Sequence, residues 1–380
     1  MKGWVDAATL DAARAANGIL AVPTFARPVV VPASDLPIIT ADLRLVHSAI
    51  TKLVLGGARV KLSDEVADLA RESISRGEGL GFTRYDVVYG EGHRDFKIIE
   101  CQAGDPSGAG WCDAFAETLQ APGHRRFRIV EALAQLIRSR MPEVARPAIA
   151  FVVARDSFVR SDHALMARGC QALGLDCRLA DVRELTRTSA GLFAGTARLD
   201  LCVRDTIDEL VPGSVLLGAW RDRVVEVLNP FAAIVADDKT LFEALSTGEG
   251  DFTADERAAL ARRIPWTRVL TARRRADVLA RRDALVLKPA DGYGGFGISI
   301  GCEHDAAGWE AKVDAALQGH FVVQQYVPLP EEEFPQRLKL VGSFWWVNDQ
   351  FAGGFHRAAA TRVINVHQGG GLVPTFFADS

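Results

Sequence analysis

The chain has 380 residues, 48% of them hydrophobic and 24% charged, with a mean hydropathy of +0.07. That is too long for one ordinary core and too apolar for a disordered chain, so two or three packed globular units are expected. A formal net charge of −4 with dispersed arginines excludes a nucleic-acid footprint, no stretch is apolar for long enough to cross a bilayer, and the start lacks a leader pattern, so the expected location is the cytoplasm.

In chain order, residues 35 to 80 carry a helical stripe through Leu43, Val46, Ile50 and Leu53, then Val66, Leu69 and Ile74 after a break at Gly56-Gly57. FTRYDVVY and DFKIIECQ, separated by GEGHRD, read as an antiparallel hairpin, and helical periodicity returns from Asp113 to Arg140. From Arg146 a small α/β unit is expected: PAIAFVVA, DCRLAD and RLDLCVR as strands, with HALMARGCQALGL as a helix closed by Gly174. Asn229-Pro230 ends that unit, and DDKTLFEALS opens a helix with Lys239 in its first turn. There the macrodipole disfavours a cation by ~0.3–1 kcal/mol, so a phosphate-binding task or an ion pair with Asp237 and Asp238 has to account for it.

The last third alternates strand, glycine loop, strand, a helix from Asp305 to Leu317, the strand HFVVQQYVPL and a long hairpin turning at Asn348-Asp349. Glu331 to Glu333 read as a solvated loop, and Trp345 and Trp346 as packing residues. The six cysteines, Cys101 and Cys112 among them, show neither zinc nor disulfide spacing and read as reduced, packed thiols.

Within LVLKPADGYGGFGISI, Gly292, Gly294 and Gly297 satisfy Gly-x-Gly-x-x-Gly, yet a β-branched strand follows them where a dinucleotide fold needs a helix. No Gly-Lys-Ser/Thr closes a Walker loop, and Lys288 precedes the glycines instead of following them as in a kinase. What remains is a glycine hairpin able to fold over phosphates beside one lysine, against the plainer reading of a surface turn.

On the acidic hairpin, Glu100 and Gln102 project to one face while Lys97, Ile99 and Cys101 take the other, and Arg84 shares a face with Asp86. A symmetric turn brings Asp86 to within about one residue of Glu100. Opposed carboxylates repel unless a cation lies between them, so this pair reads either as a Mg²⁺ site or, with Arg84, as an ion pair.

The order Arg84-x-Asp86, Glu100-x-Gln102-Ala-Gly-Asp-Pro-Ser, an α/β unit, Asn229-Pro230 with Lys239, Lys288-Pro with its glycine loop, and FAGGFHRAAATRVINVHQGGG resembles one family. It is similar to the circularly permuted ATP-grasp ligases of the glutathionylspermidine synthase type, over roughly residues 80 to 380. The resemblance implies an α+β ATP-grasp fold, two subdomains clamping ATP with an inserted Rossmann-like preATP-grasp unit. The expected division is 1–145 for N-terminal helices and metal hairpin, 146–235 for the inserted unit, and 236–380 for the nucleotide lobe and closing hairpin.

The same resemblance implies roles. Asp86, Glu100 and Gln102 would hold magnesium; Lys239 and Lys288 would contact ATP phosphates; Gly292, Gly294, Gly295 and Gly297 would form the lid; Gln324, Gln325 and Val327 would edge the adenine. Arg357, assisted by Arg84, would steady an acyl phosphate, Asp105 and Ser107 would touch substrate, and His356 and His367 are candidate bases. Gln102 departs from the family's usual asparagine, and the amidase domain of its bifunctional members has no room here. The expected activity is ATP-dependent joining of a carboxylate to an amine with release of ADP and phosphate; a noncatalytic ATP-binding module and a kinase-like phosphotransferase are the alternatives.

Overall fold

Strands rich in β-branched and aromatic residues at 82–102 and 337–359 need both faces covered, because almost every residue from Phe82 to Tyr89 is buried. The computed structural model describes residues 7–18, 22–58, 60, 62–119, 124–205, 213–334 and 336–378. In it those segments form one six-stranded sheet, in the order Gly371–Val373, Gln350–Ala359, Arg337–Val347, Phe82–Gly90, Gly92–Gln102, with Glu331–Glu333 pairing onto the end of Arg337–Val347. Segments some 250 residues apart in the chain are thereby neighbours, Ser343 opposite Asp86 and Trp345 opposite Arg84.

One face of this sheet presents Tyr85, Val87, Phe96, Ile98, Phe344 and Trp346 to the apolar stripe of the helix Leu36–Leu55 and to the helix Ala254–Arg263. The other packs Phe82, Trp345, Val347 and Phe355 against the helices Ala109–Leu119, Ile129–Arg140 and Arg160–Ala172. Trp345 and Trp346 are 0% and 3% exposed, and Trp345 stacks on Phe82 at 4.8 Å, so both are packing residues. Full burial of such side chains supplies roughly 1.5–3 kcal/mol each. The hairpin turns at Asn348 and Asp349 with φ of 51° and 58°, the left-handed pair that a two-residue turn requires.

A parallel sheet, Glu226–Leu228, Leu201–Arg204, Ala148–Val152 and Asp176–Ala180 in that order, builds the α/β layer expected after Arg146. The expected single strand RLDLCVR is instead two: Ala197–Leu199 joins an antiparallel trio with Leu185–Thr188 and Gly191–Ala194, and Leu201–Arg204 enters the parallel sheet. A further antiparallel sheet contains Thr267–Val269, Phe321–Gln325, Leu285–Pro289 and Ser299–Ile300, backed by the helix Ala306–Ala316.

Glu331 to Glu333 form a short edge strand with exposed side chains, Glu331 ion-pairing with Arg337 at 2.8 Å and Lys339 at 3.3 Å. Opposite charges facing across strands favour this pairing over a free loop. All six cysteines are free thiols. No helix among the described residues is long and apolar enough to cross a membrane.

Candidate functional site

A cleft runs between the six-stranded sheet and the sheet carrying Lys288, with about 890 Å³ of space when the solvent at its open mouth is included. The sheet contributes Asp86, Val88, Ile99, Glu100, Gln102, Val341 and Arg357, and the facing lobe contributes Val286, Lys288, Ile298, Ile300, Gln324 to Val327 and Leu329. The register sets Asp86 directly opposite Glu100, with a β-bulge at Ile99. The bulge puts Ile99 and Glu100 both on the cleft side, correcting the strict alternation that assigns Ile99 to the face of Cys101.

Lys288 extends from its strand into the cleft and donates to the carbonyl of Ile99 at 3.1 Å and to Oε1 of Gln324 at 2.8 Å; Gln324 in turn donates to Thr267. Burial lowers its pKa to about 8, the Glu100 carboxylate opposing that shift and the Lys239 ammonium adding to it. Lys239 ion-pairs with Glu100 at 3.2 Å and donates to the carbonyl of Gly292 at 2.7 Å, which ties it to the glycine loop. It does not sit in a helix: one ends at Asp237, the next begins at Leu241, and Asp238 accepts from the backbone N–H of Thr240 at 2.8 Å. Lys239 thus lies one residue before the N-cap Thr240, outside the helical turn in which the sequence places it.

At the other side of Glu100 the carboxylate of Asp86 takes hydrogen bonds from Arg84 at 3.0 Å, from Ser343 at 2.7 Å and from Arg357 at 2.6 Å. Burial alone would raise its pKa; Arg357 and Arg84 reverse that and hold it well below the ordinary carboxylate range. Of the two readings of the acidic pair, the ion pair forms at Asp86, while Glu100 and Gln102 face the cleft opposite the lysines.

The glycine loop arches over this space. Gly294, Gly295 and Gly297 adopt φ of 67°, 74° and 73°, a conformation that side chains resist. Gly292, Gly294 and Gly295 line the cleft; Gly297 lies outside its lining, and Tyr293 and Phe296 stay exposed at 71% and 60%. Gln368 donates to the carbonyl of Gly294 at 2.9 Å, and a Cβ on Gly295 would lie 2.8 Å from Val363 and 2.9 Å from Gln368. Gly295→Ala is expected to push the loop off residues 363 to 368, read as faster amide hydrogen exchange across 292 to 297 with the rest of the chain unchanged.

The remaining candidates separate. Gln325 and Val327 line the apolar end with Tyr326, Leu329 and Ile364. Asp105 stands beyond the polar end, open to solvent on one side; enclosure and the carboxylates of Asp237 and Asp205 raise its pKa, with Arg204 and Arg84 opposing the rise. Ser107 contributes its carbonyl, which accepts from Arg84 at 2.5 Å. His356 points away from the cleft, buried on Tyr89 and bonded to Thr375 at 2.7 Å, with burial, His93 and Arg357 lowering its pKa well below normal. A base for an amine in the cleft would need the opposite face of the strand. The side chain of His367 lies outside the described residues.

Residues 205–324 match the family model of a circularly permuted ATP-grasp. A glutathione synthetase-like effector from Globodera pallida, in its apo form, superposes over 97% of this chain and 96% of its own with a TM-score of 0.60 at 11% identity. The fold is ATP-grasp. D-cycloserine synthetase covers 60% of this chain and 72% of its own (TM-score 0.39, 17% identity), and a RimK domain ATP-grasp protein from Sphaerobacter thermophilus 60% and 90% (TM-score 0.34, 16% identity). No curated protein matches the sequence. At these identities the likeness concerns the fold and carries no substrate.

In this ATP-grasp fold the donor set can be tested against Mg²⁺. No group of three or more His, Cys, Asp or Glu converges among the described residues, which leaves the carboxylates of Glu100 and Asp86 and the amide of Gln102. Mg²⁺ bound together with phosphates needs only one or two carboxylates, so Glu100 with Gln102 fits; Asp86 is already engaged by two guanidiniums. Arg362 and Asn365 also line the cleft and were not singled out as site residues, although both fall in the closing segment; Arg362 pairs with Glu303 at 3.1 Å. Ser343 was missed because a lone serine in a strand carries no pattern.

Proposed function

We propose that the protein is an ATP-dependent carboxylate-amine ligase that forms an amide through an acyl phosphate. The observation that carries this reading is the convergence, on one cleft under one glycine loop, of Lys239, Lys288 and Glu100 with the Arg84–Asp86–Arg357 cluster beside them. Val286, Ile298, Ile300, Val327, Leu329 and Ile364 offer an apolar slot for adenine, and Gln325 to Val327 supply backbone groups along its edge.

In this reading the γ-phosphoryl group passes to a carboxylate oxygen of the acid, ADP leaves, the amine nitrogen attacks the acyl carbon, and phosphate departs as the nitrogen loses its proton. Charge spreads over the transferring oxygens, so the protein contributes mainly position and countercharge. Lys239 and Lys288 hold phosphate oxygens; Arg357, drawn from Asp86, meets the oxygens of the acyl phosphate, with Arg84 behind it. Glu100 and Gln102 would hold magnesium, which would supply further countercharge to the phosphates. Asp86 keeps Arg84 on both of its oxygens and Ser343 on one, which holds the cluster in place beside the cleft. The closed glycine loop excludes water, which would otherwise hydrolyse the acyl phosphate.

The pKa of Lys288 gives a pH test. Phosphate binding favours its charged form, so nucleotide affinity is full below about pH 8 and falls as pH rises beyond it, by up to ~10-fold per unit; in Lys288→Met this dependence is expected to vanish. Chemically, the protein with ATP, Mg²⁺, hydroxylamine and a panel of carboxylic acids is expected to yield ADP and a hydroxamate. AMP as product would overturn the acyl-phosphate route, and ADP with phosphorylated substrate but no hydroxamate would leave a kinase.

A further inference from the structure

Beyond the phosphoryl end of the cleft, the parallel strands Ala148–Val152 and Leu201–Arg204 end together, Arg204 opposite Val152. Loops diverge at the carboxyl ends of parallel strands and leave a crevice there. Arg204 is only 3% exposed. Its Nε donates to the carbonyl of Asn229 at 2.8 Å, its Nη2 to that of Pro230 at 3.2 Å, and its guanidinium stacks on Phe231 at 5.1 Å. Its Nη1 is buried without a hydrogen-bond partner among the described residues, as is Oδ1 of Asn229 beside it. A buried, unpaired guanidinium N–H is costly and calls for an anion.

The surroundings are acidic. Asp105, Asp237 and Asp205 all act on the charge of Arg204, while Arg84 also acts on Asp105, Lys239 on Asp237 and His163 on Asp205. Two of the carboxylates have tasks. Asp237 accepts from the backbone N–H groups of Ala103 at 2.5 Å and Gly104 at 3.0 Å, and Asp205 meets Ser157 at 3.4 Å and His163 at 3.5 Å. Asp105 has no hydrogen-bond partner among the described residues and opens to solvent. Burial raises the pKa of Asp205 and of Asp237, the latter to about 6, and at Asp105 the carboxylates of Asp237 and Asp205 add to the effect of enclosure. The buried Asp162 accepts from the N–H groups of Gly108 and Trp111 at 2.7 and 2.8 Å, which pins the Asp105 loop to the parallel-sheet layer.

An unpaired cationic N–H near a carboxylate that has no hydrogen-bond partner suits a ligand carrying both charges. Resting on the ligase reading, we infer that this crevice binds the amine co-substrate and that the amine is an amino acid, its carboxylate on Nη1 of Arg204 and its ammonium on Asp105. Arg84 joins crevice and cleft: its guanidinium holds Asp86 and donates to Ser107, two residues from Asp105.

The test is calorimetry on the full chain saturated with Mg²⁺ and the β,γ-imido analogue of ATP, titrated with each of the twenty standard amino acids and with the matching amines that lack the carboxylate. At least one amino acid is expected to bind, and its decarboxylated counterpart at least about 30-fold more weakly. Arg204→Lys is expected to weaken the amino acid about tenfold or more with nucleotide affinity unchanged, which also reports that the variant is folded. Asp105→Asn, at a solvent-facing position, is expected to weaken it as well. Equal binding of the amines overturns the inference, as does a nucleotide-loaded protein that binds no amino acid. Failure of the nucleotide itself to bind would remove the ligase reading, and this inference with it.

Discussion

Asp86→Ala is expected to destabilise the protein by about 3–5 kcal/mol, read as a lowered urea midpoint against the unchanged chain. The carboxylate is 4% exposed and is the shared partner of Arg84 and Arg357, each about 5% exposed. Removing it strands two guanidiniums between sheet strands, and Arg84 keeps only the Ser107 carbonyl. Ser343→Ala removes one hydrogen bond to the same charge and is expected to cost about 1.5–3 kcal/mol. The pH dependence follows from the depressed pKa: this contribution is fully present above the ordinary aspartate value of 3.8 and fades only as pH falls below it toward the folded-state value. Asp86→Asn keeps the shape and loses the charge, so it is expected to fall between alanine and aspartate in stability.

Lys288→Met is expected to separate function from stability in the opposite sense. The side chain is 6% exposed and is held with its charge partly desolvated, as its pKa of about 8 reflects. Methionine fills a similar volume without that penalty and leaves the Ile99 carbonyl and the Gln324 amide short of one donor, so the urea midpoint should change little. ADP release under the conditions that yield hydroxamate should fall by about 10²–10³-fold, the usual loss when one preorganised positive group is withdrawn from developing phosphoryl charge. A lysine that serves only packing would give the reverse pattern, a lower midpoint with turnover unaffected.

Residues that combine a type with a local pattern were legible in the sequence. The glycine loop before a β-branched strand excludes a Rossmann turn, and the strand Leu285–Pro289 does lead through that loop to Ser299–Ile300. The near-opposition of Asp86 and Glu100 follows from hairpin arithmetic, but the bulge that brings Ile99 onto the cleft side, where its carbonyl accepts from Lys288, is encoded by no local spacing. Lys239 illustrates the same limit. Its neighbours favour a helix, yet its backbone N–H bonds the carbonyl of Ala290 across the cleft, and the helix waits until Leu241. Arg204 carried no signal at all, since one arginine at the end of RLDLCVR becomes notable only when the fold buries it with an unused N–H among carboxylates from two distant segments.

The central claim is that Lys239, Lys288, Glu100 and the glycine loop together hold magnesium and nucleotide. It is tested most directly by calorimetric titration of the β,γ-imido analogue of ATP into the protein, Glu100→Ala and Lys288→Met, each with and without Mg²⁺. The account predicts binding that needs Mg²⁺ in the intact protein, loses that dependence in Glu100→Ala and weakens in Lys288→Met. An intact protein that binds no nucleotide in either condition, or one whose binding is indifferent to both substitutions, would contradict it.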